Sequence, residues 1–227
     1  MQRTIIIGDL HGCYDEAVML LDRLALAETD RVIFAGDLVD RGPKPRECVE
    51  LAMLFECVLG NHEEKHLKDK SDHHPETRRA LLPEHYTYFA KLPTFIRLPE
   101  HGAVVVHAGV MPNVAIEAQD PYHLLHAQCV RPPERKSYWP SKAPSTHTFW
   151  TNHWRGPERV IFGHSVVDKP LVLPHAVGID TGCVFGGPLT ALVLPDWQIV
   201  SVPSKQPKSE QGRVGRYRIH GDVHAFS

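Results

Sequence analysis

Apolar residues in this chain gather into short unbroken runs separated by polar turns. Thr4 to Gly8, Arg31 to Gly36, Cys57 to Leu59 and Ala103 to His107 read as strands without a polar face, the pattern of a sheet covered on both sides. Between the first runs the period changes. Asp15 to Ala27 sets Ala17, Val18, Leu21, Leu24 and Ala25 on one helical face. Asp15 and Glu16 in its first turn suit the positive end of the helix dipole. Pro45 to Phe55 reads as a second helix, opened by proline. This βαβαβ alternation predicts an α/β fold.

The pattern then loosens. Glu63 to Leu98 is charged and rich in His and Lys, with a helix expected around Thr77 to Lys91. Pro112 to Pro157 is irregular, with many prolines, aromatics and histidines. So long an irregular insertion in a compact domain usually serves a site, and it is assigned here to a substrate-facing cap. Arg159 to Gly163, Leu171 to Leu173, Ala176 to Asp180, Leu189 to Leu194 and Gln198 to Val202 read as strands joined by tight turns, a second sheet of antiparallel type. From Pro203 the apolar period is lost. Lys205, Lys208, Arg213, Arg216 and Arg218 outnumber Glu210 and Asp222 there. A solvated, partly disordered basic tail is expected, with a contact to an anionic substrate as the sharper alternative.

Composition narrows the classes. With 227 residues, 42% of them hydrophobic, the chain forms one large domain or two small ones. A net charge of -2 supplies no global field toward nucleic acid or membrane. No run of 18 apolar residues occurs, so no membrane span is expected. The first strand begins at Thr4, which leaves no room for a signal peptide. Five cysteines without a C-x-x-C pair read as reduced thiols in a cytoplasmic protein. Of the 16 histidines, only four sit in strand-end motifs. His73, His74, His123 and His126 are expected at the surface or in loops.

Metal-type donors recur just after the strands. Asp9 and His11 lie in IIIGDLHG, Asp37 in VIFAGDLVDRG, Asn61 in CVLGNHEE, His107 in VVVHAG and His164 in VIFGH. Donors at successive strand ends can converge on one edge of a sheet, where α/β proteins bind ligands. Such a set points to a two-metal hydrolytic centre acting on phosphate esters, with a bridging hydroxide as nucleophile. Alternate strand residues point oppositely, so a turn must begin at Asp9-x-His11; Gly8 and Gly12 permit it. Asp37 is the best candidate for a bridging carboxylate, and Asn61, His107 and His164 complete the second ion's shell. Carboxylate, amide and imidazole donors without thiolate favour manganese, iron or zinc. Arg41 could clamp two phosphate oxygens. His62 is suited to protonate the leaving oxygen, and Asp40 to orient His62. Arg155, in HWRG, is a candidate second phosphate contact. Each residue alone has a blander reading, such as a turn aspartate or a surface ion pair; five motifs in order do not. Ser165 and Cys183 lack a recognisable elbow or base partner and are set aside as nucleophiles.

The stretches GDLHG, GDLVDRG, GNHE, HAG and GH, spanning residues 5 to about 200, resemble the phosphoprotein phosphatase branch of the metallophosphoesterases. The resemblance implies an α/β (α+β) fold, a calcineurin-like sandwich of two mixed β-sheets flanked by helices. Residues 1–202 would form that domain, with cap-like insertions at about 64–98 and 112–157, followed by the basic tail 203–227. It implies metal ligands Asp9, His11, Asp37, Asn61, His107 and His164, Arg41 as phosphate clamp, and His62 with Asp40 as an acid pair. GDLHGCYDE, HAGVMP and IDTGCVFGGPLTAL are similar to the bacterial symmetrical diadenosine tetraphosphate hydrolases. The last is also similar to compact phage-type serine/threonine phosphatases. Asp40 and Glu63 depart from the symmetrical hydrolases, which often lack that aspartate and carry GNHD, and the stretch around Arg155 departs as well. Expelling a nucleotide phosphate, whose second pKa is roughly 6, needs little acid help; expelling a serine alkoxide needs more. The expectation is a metal-dependent phosphoesterase acting on dinucleoside polyphosphates such as diadenosine tetraphosphate. A serine/threonine or dual-specificity protein phosphatase is the alternative, and a non-catalytic binding scaffold the third reading. Two divalent metal ions are expected, manganese foremost and iron or zinc next. The expected partner is a small-molecule nucleotide or a phosphoprotein, with capped RNA ends as a further class, and no membrane.

Overall fold

Strands β1 (Thr4–Ile7), β2 (Arg31–Phe34), β3 (Glu56–Cys57), β4 (Phe95–Leu98), β5 (Ala103–Val106), β6 (Cys129–Val130), β7 (Thr148–Phe149), β8 (Arg159–Phe162), β9 (Leu171–Leu173), β10 (Ala176–Gly178), β11 (Leu189–Leu194) and β12 (Gln198–Val202) alternate with helices α1 (Tyr14–Leu24), α2 (Pro45–Ala52), α3 (Asn61–Leu67), α4 (Pro75–Ala80), α5 (Pro83–Phe89) and α6 (Pro121–His126). The structure, a computed structural model, describes residues 2–68 and 74–209. The strands form two five-stranded sheets, ordered β12-β11-β1-β2-β3 and β4-β5-β8-β10-β9, and a small β6-β7 pair. Both large sheets are mixed: β1, β2 and β3 run parallel, as do β5, β8 and β10, with antiparallel neighbours outside them.

The period of 2 along each strand divides its side chains between two apolar layers. Ile6 and Ile33 of the first sheet meet Val105, Ile161 and Val177 of the second in the inner layer. Ile5, Ile7 and Phe34 face outward and pack on Ala17, Leu20 and Leu24 of α1 and Val49 of α2. Val104, Val160 and Phe162 are covered by Phe149, Trp150 and Trp154. Burying each such side chain favours folding by about 1.5–3 kcal/mol. The parallel strands of both sheets end on one edge, and from that edge the GD, GN, HA and GH turns depart. Among the described residues no helix is long and apolar enough to cross a membrane.

Several elements differ from their sequence expectation. The buried face of α1 is Ala17, Leu20 and Leu24 with Glu16, and Ala25 closes the helix in a left-handed conformation (φ 45°). The helix expected over 77–91 breaks at Leu82 (φ -105°, ψ 160°), because the residue before Pro83 disfavours helical geometry. The late strands do not form a sheet of their own. β8, β9 and β10 join β5, with β8 parallel to it, whereas β11 and β12 cross to β1. β11 is buried throughout, and β1 supplies the interior neighbour that such a strand needs. Phe95–Leu98 pairs as an edge strand. The start of the expected solvated tail is anchored: the Lys205 amide (2.8 Å) and Gln206 side chain (3.0 Å) donate to the buried Glu16 carboxylate. Glu210, Arg213, Arg216, Arg218, Asp222 and the HGDVHA stretch lie outside the described residues.

Candidate metal centre

Backbone turns at the strand ends place the donors, and several of them are left-handed. His11, Asp37, Asp40, Arg41 and His164 have φ of 43°, 51°, 71°, 68° and 60°, a region that costs an L-residue about 1–2 kcal/mol. Glu63 holds the central turn. Its buried carboxylate accepts from the amides of Asp37 (2.9 Å), Leu38 (2.8 Å), Val39 (3.2 Å) and Gly60 (3.1 Å). Burial, reinforced by Asp37, pushes the Glu63 carboxyl up to about 7. The His164 amide donates to the Asp9 carboxylate at 3.0 Å, which ties the last turn to the first. Gly163 is required there, since a Cβ would stand 2.0 Å from Asp9 Oδ1.

The histidines are oriented from behind. His11 Nδ1 donates to the Val39 carbonyl and His107 Nδ1 to the Ala35 carbonyl, both at 2.8 Å. A carbonyl only accepts, so the proton sits on Nδ1 and each Nε2 lone pair turns inward, the arrangement that orients imidazole ligands. Asp37 lies between them, with Oδ2 3.4 Å from His11 Nε2 and Oδ1 3.3 Å from His107 Nε2. His11, Asp37 and His62 bring donor atoms within 4.8 Å of one another, and so do Asp37, His107 and His164; Asp37 belongs to both groups. Asn61 Oδ1 lies 3.0 Å from His107 Nε2 and 2.8 Å from His164 Nδ1.

This donor set fits divalent cations. Lone pairs of Asn61, His107 and His164 converge with too few protons to separate them. Turning the Asn61 amide would instead aim its NH2 at both rings and at Asp37 Oδ2, 3.2 Å away; the oxygen-inward orientation is the one a cation selects. The buried carboxylates agree. Burial, then repulsion from Asp180 and Asp37, pushes the Asp9 carboxyl well up, and burial pushes Asp180 up to about 6. Burial also holds His11 and His164 well below the ordinary histidine range, so both are neutral donors at pH 7. Oxygen and imidazole donors without thiolate suit borderline divalent ions.

Beside the donors stands a hydrogen-bonded chain. His62 Nδ1 meets Asp40 Oδ2 at 2.5 Å, and His66 Nε2 meets Asp40 Oδ1 at 2.8 Å. Burial works to raise the Asp40 carboxyl, but these two imidazoles outweigh it and hold it below the usual range. Arg41 donates through Nη1 to His11 Nε2 and through Nη2 to His62 Nε2, the latter at 3.0 Å. Lys65 Nζ is 3.2 Å from His62 Nε2. A cavity of about 560 Å³ opens here, lined by Asp37, Arg41, Asn61, Lys65, Trp139 and His164 among others.

Residues 2–168 match the sequence profile of the family described as calcineurin-like phosphoesterase. The chain belongs to that family. The phosphoesterase is 34% identical over 239 residues to a Bacillus subtilis (strain 168) protein named bis(5'-nucleosyl)-tetraphosphatase PrpE [asymmetrical], covering 90% of this chain and 96% of the relative. A protein of the same name from Halalkalibacterium halodurans is 29% identical over 89% of this chain and 94% of its own length. A crystal structure described as that of a candidate diadenosine tetraphosphatase superposes with a TM-score of 0.81 at 33% identity, covering 89% of this chain and 94% of that one. A Saccharomyces cerevisiae serine/threonine phosphatase, at 16% identity and a TM-score of 0.58 over 92% of this chain and 81% of its own, shares the fold alone. The flanking motifs resemble the symmetrical hydrolases, whereas these relatives carry the asymmetrical designation.

Within the phosphoesterase, four expected donors, His11, Asn61, His107 and His164, meet around the fifth, Asp37, and Asp9 joins through the bond its carboxylate accepts from the His164 amide. Arg155 is elsewhere. Its Nη1 donates to the carbonyls of Thr151 (3.3 Å) and Trp154, and it lines a separate cavity with Arg97 and Glu158. The buried Trp150 and Trp154 fix that turn on the outer face of the second sheet, away from the donors. Two histidines expected at the surface are not there. His123 is buried, and His126 bonds Glu64 at 3.1 Å with its ring 6.4 Å from that of His164. His74 is half-buried and lines the cavity; His73 lies outside the described residues. Glu63, Lys65, His66 and Asp180 were missed. Glu63 and Asp180 stand inside quoted motifs, which was a usable signal; Lys65 and His66 carried none beyond their place one turn after Asn61. The five cysteines are free and buried. Ser165 and Cys183 are buried and do not line the cavity.

Proposed function

We propose that this phosphoesterase hydrolyses dinucleoside polyphosphates such as diadenosine tetraphosphate. The observation that carries the reading is Asp37, one buried carboxylate shared by two donor groups, with Arg41 beside it. In this reading Asp9, His11, Asp37, Asn61, His107 and His164 hold two divalent ions, manganese foremost. Such ions supply an activated water at neutral pH and offset charge on phosphoryl oxygens. Arg41 clamps the phosphate, and Lys65 takes the second cationic position that Arg155 does not reach. Residues 1–202 form the catalytic domain, and the insertions at 64–98 and 112–157 select the substrate. The names of the relatives supply the substrate class and suggest an asymmetrical cut, giving ATP and AMP from diadenosine tetraphosphate. We assign the protein to the cytoplasm, a reading supported by the substrate class and the five free cysteines.

The His62–Asp40 pair at 2.5 Å favours a second reading, a serine/threonine or dual-specificity protein phosphatase, because only a poor leaving group needs a strong acid. Capped RNA ends are a third anhydride substrate to compare. A binding scaffold has no need of the full donor set kept here. With manganese and diadenosine tetraphosphate, anion-exchange chromatography should resolve equal ATP and AMP. Absence of nucleotide products while phosphopeptides are dephosphorylated would overturn the leading reading.

A further inference from the structure

We infer that Trp139 forms a nucleobase-binding wall beside the metal centre. The chain has four tryptophans. Trp150 and Trp154 are buried, and Trp197 is covered by the Arg159 guanidinium, 4.1 Å from its ring centroid. Trp139 alone among the four keeps a large exposed face, 46%, and it lines the cavity. Its ring lies 5.5 Å from that of His164. The His164 ring also neighbours that of His126, 6.4 Å away, on which the exposed Tyr122 stacks with centroids 4.5 Å apart and planes at 26°. The backbone presents the indole firmly. Tyr138, its neighbour, is bridged to Cys129 by hydrogen bonds of 3.0 and 2.9 Å, and a short 3-10 turn follows at Pro140–Lys142.

The chemistry of the cavity selects the ligand. Arg41 and Lys65 form its cationic part, and Arg41 itself rests 5.4 Å from the Phe185 ring centroid. A ligand matching both features carries an anionic group joined to a flat π surface; a nucleotide is the ligand of that kind with a polyphosphate chain, which suits two cations better than the single phosphate of phosphotyrosine. A phosphoserine peptide has the charge without the aromatic plane. Stacking on an aromatic side chain is tolerant of base identity, so the wall would accept purines generally rather than adenine alone. This site rests on the phosphoesterase reading for its phosphate end, whereas its base end is independent of the reaction.

The test is equilibrium binding by calorimetry to the manganese-loaded protein, with ATP and inorganic tripolyphosphate as probes. The native protein should bind ATP more tightly than tripolyphosphate by about tenfold, within the roughly five- to 150-fold that one stacked base contributes. Trp139→Ala should erase most of that preference and leave tripolyphosphate affinity within about twofold; Trp139→Phe, which keeps a ring, should retain much of it. Equal affinities in the native protein, an unchanged ratio in Trp139→Ala, or an equal loss for both probes in both variants would overturn the site. Binding preference and hydrolysis separate the two readings. A native preference for ATP without cleavage of dinucleotides would leave the wall standing and remove the proposed reaction.

Discussion

Replacing Asp40 by Asn probes the proposed acid pair at its most exposed dependency. The amide matches the carboxylate in shape but offers one acceptor oxygen in place of two. His62 Nδ1 at 2.5 Å and His66 Nε2 at 2.8 Å both use Asp40, so one of them would face an NH2 group. The larger effect is on charge. A hydrogen bond to a charged group is worth about 1.5–3 kcal/mol, and its loss reduces the imidazolium population of His62 by roughly ten- to 150-fold at 1.36 kcal/mol per tenfold. Turnover of an alkyl phosphomonoester should fall by about that factor, while 4-nitrophenyl phosphate, whose leaving oxygen needs no proton, should change by less than about threefold. Both rates would be measured at saturating manganese, with bound metal quantified by mass spectrometry and expected to stay level. An equal loss for both substrates would refute the acid role and assign Asp40 to the integrity of the site instead.

Three further substitutions address the scaffold around the donors. Asp37→Asn should lower the metal-to-protein ratio for both ions together, and a variant that loses only one would refute the bridging position. Glu63→Gln leaves two of the four backbone amides facing an NH2; at about 1–3 kcal/mol per unsatisfied donor the melting temperature should drop by roughly 5–20 °C, and a change under about 2 °C in calorimetry would contradict the account. Gly163→Ala drives a methyl toward Asp9 Oδ1, for an overpacking cost of about 1–3 kcal/mol; metal retention during gel filtration should fall, and unaltered retention would show that the Asp9 turn yields freely.

The donors were legible because each follows an apolar run, and parallel strands must end on a common edge. Asp37 could be singled out from its place just after the second strand, and the fold sets it within both donor groups. Strand partnership was not legible in the same way. The run Leu189–Leu194 is apolar on both faces and says only that it is interior, not that it lies against β1 rather than β10. The face of α1 was misjudged because Glu16, a carboxylate, is buried, and its burial depends on the amides of residues 205 and 206, far along the chain. The break before Pro83 was readable from proline geometry. Arg155 shows the opposite failure, since a cation in an irregular stretch carries no positional information until its neighbours are folded. Trp139 was equally silent: its exposure beside His164 is a property of the assembled wall.

The left-handed residues at this edge bear on how such a protein drifts when heat resistance is the sole demand. Arg41 at φ 68° is exposed, so glycine there would shed torsional strain on the order of 1 kcal/mol while giving up the bonds to His11 and His62 and the contact with Phe185. A screen that rewards survival on heating, blind to turnover, would keep inert glycine variants at such positions only where the strain relieved exceeds the bonds given up. Where they accumulate, they would trace the reactive rim of the molecule without any substrate being supplied.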